Sequence, residues 1–401
     1  MPHLKKEPVG ILSNNDGCLV ALSPELKQLG ITRGTPGFKI KDMVNKKKVY
    51  LFSSNYELYG DMSSRVMRIL SSMADDIEIY SIDEAFLSFK GFSDSFDLFK
   101  YAKEIQNKVE RETSIPVSVG LGRTKTIAKI ATHIAKKSAT NVFELLDETK
   151  VINVLKSLNI EDVWGIGRQY TKRLNRFGIY TAEDFIKAPA YLIRKEMGVM
   201  GERTQLELKG VSCSDLEMTA PPTKSIVCSR SFGKSVSNLD EMLESISLYS
   251  SMAIKNLREK GLVAKNLTVF ITTNPFKETK QYANFSQGSL ADYSAYTPDF
   301  IALGSNLLKR IYKEGFFYKK TGVMLTDITK QDKLYPNLFT ASYGDDKRHL
   351  VMGALDKINH KYGKDKIFFA SCGTKKDWQM KREFATQRYT TRWNELMRVK
   401  G

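Results

Sequence analysis

Hydrophobic and polar positions along the first 55 residues change over in short blocks. VGIL, SNNDG and CLVAL, residues 9–22, make an apolar run, a polar cluster and a second apolar run. This predicts a β-hairpin, because Asn and Gly supply the positive φ that its turn needs. SPELKQLGI follows as a short helix, with Ser23 as N-cap, Pro24 at the first position and Gly30 at the end. From Asn55 the period lengthens, and Tyr59, Met62, Val66, Ile69, Leu70 and Met73 recur at helical spacing. IEIYSIDEAFLSF, residues 77–89, alternates like a half-buried strand but carries Asp83 and Glu84 side by side. Neighbouring strand side chains point to opposite faces, so an unbroken strand would bury one of these acids without a partner, at high cost. Either DE is the tip of a hairpin, or positive charge sits against both acids.

Further on, Leu98, Ala102, Ile105 and Val109 mark a helix, and Ile115, Val117, Val119 and Leu121 alternate as a strand. A helix from Lys125 to about Lys137 closes the unit, and the whole order fits an α+β sheet with helices on one face. Near Asn159 the texture turns to short helices and tight turns. TAPPTKSIV, from Thr219, has the composition of an interdomain linker. A β-rich region follows, with SIVCSRSFG and KNLTVFITT separated by an amphipathic helix over residues 239–261.

Composition narrows the class. The 401 residues are 42% hydrophobic and 27% charged, enough for two to four domains. No pair among Cys18, Cys213, Cys228 and Cys372 has zinc-ligand spacing, and nothing suggests a disulfide framework, which fits a reducing cytoplasm. MPHLKKEPVG has no apolar signal core, and no apolar run is long enough to span a bilayer. Lys and Arg number 62 against 45 Asp and Glu, a net charge of +17, which favours a polyanionic partner such as nucleic acid.

Three features carry candidate chemistry. On the helix from Lys125, Ile127, Ile130, Ala131 and Ile134 share one face while Lys125, Lys129 and Lys136 share the other. That lysine row is either a solvated face or a phosphate-facing one. DVWGIG followed by a helix and a second turn at Phe177-Gly178-Ile179 is a helix-hairpin-helix pattern. Gly165 and Gly167 would let backbone N–H groups approach DNA phosphates without side-chain interference, with Arg168 beside them and Lys172, Arg173 and Arg176 after it. Asp83 and Glu84 near a basic helix suggest two-metal phosphoryl transfer, although an acidic pair also suits an exposed hairpin tip.

Taken together, YSIDEAF, SVGLGRTKTIAKIATHIAKK and DVWGIG resemble the Y-family translesion DNA polymerases. LSNNDGC, FSSNYELYGDMSSRVM, VCSRSFG, GVML and WQMKREFATQRYTTRWNELMRVK are similar to the UmuC-type branch, so the resemblance covers essentially the whole chain. It implies a right-hand α+β polymerase with a ferredoxin-like palm. Residues 1–155 would be palm and fingers, 156–220 a helix-hairpin-helix thumb, 221–335 an α+β little finger and 336–401 a UmuC-type carboxyl-terminal extension. Asp83 and Glu84 would be catalytic and hold Mg2+. Asn15 and Asp16 in the fingers hairpin, with Lys27 and Lys136, would face the incoming nucleotide. Lys125, Lys129, Gly165, Gly167 and Arg168 are the candidate DNA contacts. The implied partners are primer-template DNA, dNTP, a processed UmuD dimer and RecA, in error-prone synthesis during the SOS response, with no membrane.

Two departures from the family pattern stand out. Family members carry an early strand of the form DVNxFYASCE, with the first metal-binding Asp and an aromatic gate against ribonucleotides, and no acid before Asp83 has that context here. The resemblance then implies one metal ligand too few, from a misassigned start or a truncated gene. The alternative function is a truncated, catalytically inactive protein that binds damaged DNA. A nuclease or cyclase on a similar palm is a third class, opposed by the helix-hairpin-helix and the tail. In LYPNLF, Leu338 and Phe339 match the family's sliding-clamp peptide, while Tyr335 and Pro336 replace its Gln and first Leu.

Overall fold

In the computed structural model of the protein, residues 2–46, 48–92, 96–219, 222–333, 346–363 and 365–396 are described. The chain divides into two compact units, one of residues 1–55 with 221–386 and one of residues 56–220 with 387–401.

The first unit begins with the expected hairpin. β1 (Val9–Leu12) pairs antiparallel with β2 (Leu19–Leu22) and parallel with β3 (Tyr50–Ser53). The turn between β1 and β2 leaves Gly17, expected to supply positive φ, at −75° and holds Asn15 and Asp16 at φ of 62° and 49°. Such left-handed backbone is costly for most side chains and least so for Asn and Asp. α1 (Pro24–Gln28) starts where Ser23 Oγ accepts the Leu26 N–H, and α2 (Lys41–Asn45) follows. Leu12, Leu19, Leu26 and Ile40 close a small core beneath the hairpin.

The second unit opens with α3 (Tyr56–Ser71), β4 (Asp76–Ile79), β5 (Ala85–Ser88) and α4 (Leu98–Thr113). β6 (Val119–Gly122), α5 (Lys125–Ala135), β7 (Val142–Leu145) and α6 (Glu148–Ser157) come next. The expected single sheet is replaced, among the described residues, by an antiparallel β4–β5 ribbon and a parallel β6–β7 ribbon. Ile115 and Val117 precede β6 because its ladder starts only at Val119, opposite Val142. The second ribbon also packs closely against α5. At Gly120 and Gly122 α5 approaches so closely that an added Cβ would collide with its backbone. Ile127, Ile130 and Ala131 on the inner face of α5 join Leu145 and Leu155 in the core.

α7 (Arg168–Asn175), α8 (Ala182–Lys187) and α9 (Ala190–Leu208) complete this unit around Leu174, Ile179, Phe185 and Ile193. Thr181 and Asp184 form a reciprocal capping box that fixes the entry to α8.

The carboxyl-terminal part of the first unit comprises β8 (Ile226–Val236), α10 (Leu239–Glu259), β9 (Leu262–Thr273), β10 (Ala283–Ser294), α11 (Thr297–Ile311) and β11 (Tyr318–Lys330). Its antiparallel sheet runs β10-β9-β11-β8, with α10 and α11 packed on it over Phe232, Ile246, Leu267 and Phe300. α12 (Asp346–Tyr362) is tied to α10 by a two-pronged ion pair from Arg258 to Asp356. Among the described residues no helix is long and apolar enough to cross a membrane.

Candidate active site

The β4–β5 ribbon settles what DE is. Tyr80 and Ser81 both donate their N–H groups to the Glu84 carbonyl, so the chain reverses between Ile79 and Ala85 and the acids sit at the tip. Asp83 is exposed, and its Oδ1 accepts the Ser81 hydroxyl at 2.6 Å. Glu84 lies 2.7 Å from Lys129 Nζ; the acid is 40% exposed but the lysine only 16%. The hairpin-tip reading therefore holds, while the other is met for one acid only: a cation stands against Glu84, and Asp83 is bonded to the Ser81 hydroxyl.

Lys129 lies in an aromatic box. Its ammonium stands over Tyr80, Phe86 and Trp164, 5.0, 5.2 and 5.6 Å from their centroids, and these rings meet one another at 5.4 to 5.8 Å. A largely desolvated cation gains from such ring faces as well as from the carboxylate. Lys125, one turn earlier, bonds the Glu78 carboxylate and the Asp215 carbonyl, and both side chains of the ion pair are only 10% exposed. Burial pushes the Glu78 carboxyl up, but the Lys125 ammonium and the Glu217 N–H outweigh it and hold the group below its ordinary value.

The lysine row on α5 is thus neither a solvated face nor an open phosphate-facing one. Lys125 and Lys129 are committed to the hairpin, and Lys136, the helix C-cap, is exposed. Gly165, at φ +88°, and Gly167, the N-cap of α7, are exposed with open space where a Cβ would stand, and Arg168 is exposed beside them. Trp164 joins this turn to the carboxylate hairpin through an edge-on contact with Tyr80 and a tilted one with Phe86.

Asn15, Asp16 and Lys27 lie in the first unit, with Lys27 exposed on α1. The polar atoms of Asn15 and Asp16 are occupied within that unit. Asn15 donates to the Ser231 carbonyl and accepts from Lys381 N–H, while Asp16 accepts from Ser53 Oγ and Glu383 N–H. Leu338 and Phe339 lie outside the described residues.

Sequence reasoning missed Glu78, Trp164 and Glu207. Glu207, itself buried, accepts from the Thr126 N–H and hydroxyl and so anchors the start of α5. The available signals were a lone acid in a strand, IEIY, and a Trp directly before a glycine turn. Neither has a period that marks it.

Two family models described as impB/mucB/samB match the chain, the family model over residues 1–133 and its C-terminal domain over residues 223–338. A domain of unknown function (DUF4113) matches residues 349–399. Protein UmuC of Salmonella typhimurium is 41% identical over 407 residues, covering 100% of this chain and 96% of the relative. Protein ImpB of Salmonella typhimurium is 37% identical, covering 98% and 94%. DNA polymerase IV 2 of Bacillus subtilis is 25% identical, covering 92% and 89%. Among solved structures, a Y-family DNA polymerase chimera of Dbh and Dpo4 superposes with a TM-score of 0.65 at 23% identity, over 82% of this chain and 94% of that one.

Proposed function

Because the chain belongs to the UmuC-like impB/mucB/samB family of Y-family DNA polymerases, we propose that it extends primers across damaged template as an error-prone DNA polymerase of the SOS response. The observation that carries the reading is the exposed Asp83–Glu84 tip beside α5, joined through Trp164 to a glycine turn suited to DNA phosphates. The four-part division at 155, 220 and 335 into palm and fingers, thumb, little finger and extension is part of the same proposal.

Carboxylates are the hard oxygen donors that Mg2+ prefers, and Asp83 and Glu84 are the residues that would hold it. Bound divalent cations supply positive charge to the attacking and leaving oxygens. Glu84 is already neutralised by Lys129. Among the described residues no group of three or more His, Cys, Asp or Glu stands together to complete a site. Lys129 holds Glu84 in place within the aromatic box, and Lys125 holds Glu78 and with it the ribbon. Exposed Lys27 and Lys136 are cations for the triphosphate, and Gly165, Gly167 and Arg168 receive the DNA backbone. Lys125 and Lys129 serve DNA through the hairpin they hold. A processed UmuD dimer, RecA and, through Leu338 and Phe339, a sliding clamp are the proposed protein partners, in the cytoplasm.

The test is Mg2+-dependent primer extension with UmuD and RecA present, using protein that carries the family's Asp-bearing strand ahead of Leu4. Asp83→Asn and Glu84→Gln are each expected to cut the rate on the order of 10²-fold or more, as for loss of comparable transition-state charge stabilisation. Primer-template affinity should stay unchanged. Equal rates in Asp83→Asn and its parent would return DE to an ordinary hairpin tip.

A further inference from the structure

The segment from Trp378 to Thr386 lies in the region matched by the domain of unknown function, yet Lys381, Glu383 and Phe384 bond to the opposite end of the sequence. Lys381 N–H donates to Asn15 Oδ1 at 3.0 Å and Glu383 N–H to Asp16 Oδ2 at 2.7 Å. Phe384 bonds Ser53 twice, its N–H donating to the Ser53 hydroxyl and its carbonyl accepting the Ser53 N–H. Ser53 Oγ in turn donates to the second oxygen of Asp16. On its other side Asn15 reaches the Ser231 carbonyl on β8 at 2.6 Å. The turn held this way has two consecutive non-glycine residues at positive φ, a conformation that persists only where its surroundings over-determine it.

We infer that residues 378–386 are a brace for the Asn14–Gly17 turn, positioning Asn15 and Asp16 through main-chain amides. The anchoring favours a permanent brace over a releasable strap. Trp378 is 2% exposed, lies against Phe232 and Tyr249, and its indole N–H meets Glu244. Its carbonyl accepts the Gly233 N–H, and at Gly233 any Cβ would collide with the Gln379 carbonyl. Removing such a segment would expose an indole and leave the Gly233 and Ser53 N–H groups without their acceptors, which a mobile strap does not tolerate. The functional consequence rests on the polymerase reading above: the brace sets the turn over the incoming nucleotide, and Lys381, Glu383 and Ser53 are positioning residues that touch no substrate.

The test uses the full chain. Glu383→Pro removes the N–H that holds Asp16, whereas Glu383→Ala keeps it and serves as the conservative control. Amide hydrogen exchange is read at Asp16 and Cys18, whose N–H groups are bonded within the turn to Ser13. dNTP affinity is read on primer-template without turnover. Glu383→Pro should speed exchange and weaken dNTP binding roughly tenfold, the loss of one charge-assisted bond, while Glu383→Ala stays near the parent. Should the proline misfold the tail, Ser53→Ala cuts the same linkage from β3 and should shift both readouts the same way. Exchange in both Glu383→Pro and Ser53→Ala matching the parent would overturn the brace, and so would tighter dNTP binding, which would make the segment an obstruction. If the parent binds no dNTP while the exchange contrast persists, the brace stands and the nucleotide reading fails.

Discussion

At the scale of single residues, the tie between Glu78 and Lys125 is the most consequential feature that no motif announces. Two opposite charges at low exposure, with an extra main-chain donor on the acid, are well compensated together and poorly apart. Glu78→Gln strands the lysine and should destabilise the protein by about 3 kcal/mol at neutral pH, read by denaturant unfolding. The pH dependence has a definite sign. The folded carboxyl titrates below its unfolded value, so its contribution is complete above the ordinary carboxylate range near ~4.3 and is lost as pH falls through the folded value. The gap between parent and variant should therefore be flat from neutrality downward and close only in that acid window. A gap that closed between pH 6 and 8 would contradict the assignment.

At the scale of elements, the glycine turn before α7 is the part whose geometry depends on residue type. Gly165 sits at φ +88° with nothing behind it, so Gly165→Ala meets backbone strain and no clash. The expected result is a cost of roughly 1–2 kcal/mol in local stability and weaker primer-template binding, measured by anisotropy. Arg168→Gln on the same turn should weaken binding about equally for all sequences and lower the salt slope by about one unit. Sequence-selective losses would mean that this element reads bases and not phosphates.

At the scale of the whole molecule, the net charge of +17 makes a prediction independent of any single contact. Primer-template affinity should fall steeply between about 50 and 200 mM salt, because each neutralised phosphate releases counterions. A flat response would remove the electrostatic footprint. The division into two units belongs to this scale as well. Residues 1–55 group with residues 221–386 and not with the strands that follow them in sequence, and the short Ser53-Ser54-Asn55 run at the boundary gives no sign of that distant partner.

Much of the local structure was set by the chain itself. The Asn-Asn-Asp-Gly turn, the Ser23 cap and the glycine turn before α7 each follow from a backbone preference acting over a few neighbours, which is why short stretches predicted them, whereas at DE the local pattern left two readings open. The order of motifs was likewise enough to identify the family. Only the tertiary structure decided where the charges go. The spacing of Lys125 and Lys129 placed them on one face of α5, but whether that face meets solvent, phosphate or Glu78 and Glu84 depends on a hairpin some fifty residues away (47 separate Lys125 from Glu78). The bonds from Lys381 and Glu383 to Asn15 and Asp16 span more than 360 residues and are made by main-chain N–H groups, which every residue but proline carries. A donor common to nearly all positions leaves no mark in the sequence, so folding alone selects which one is used.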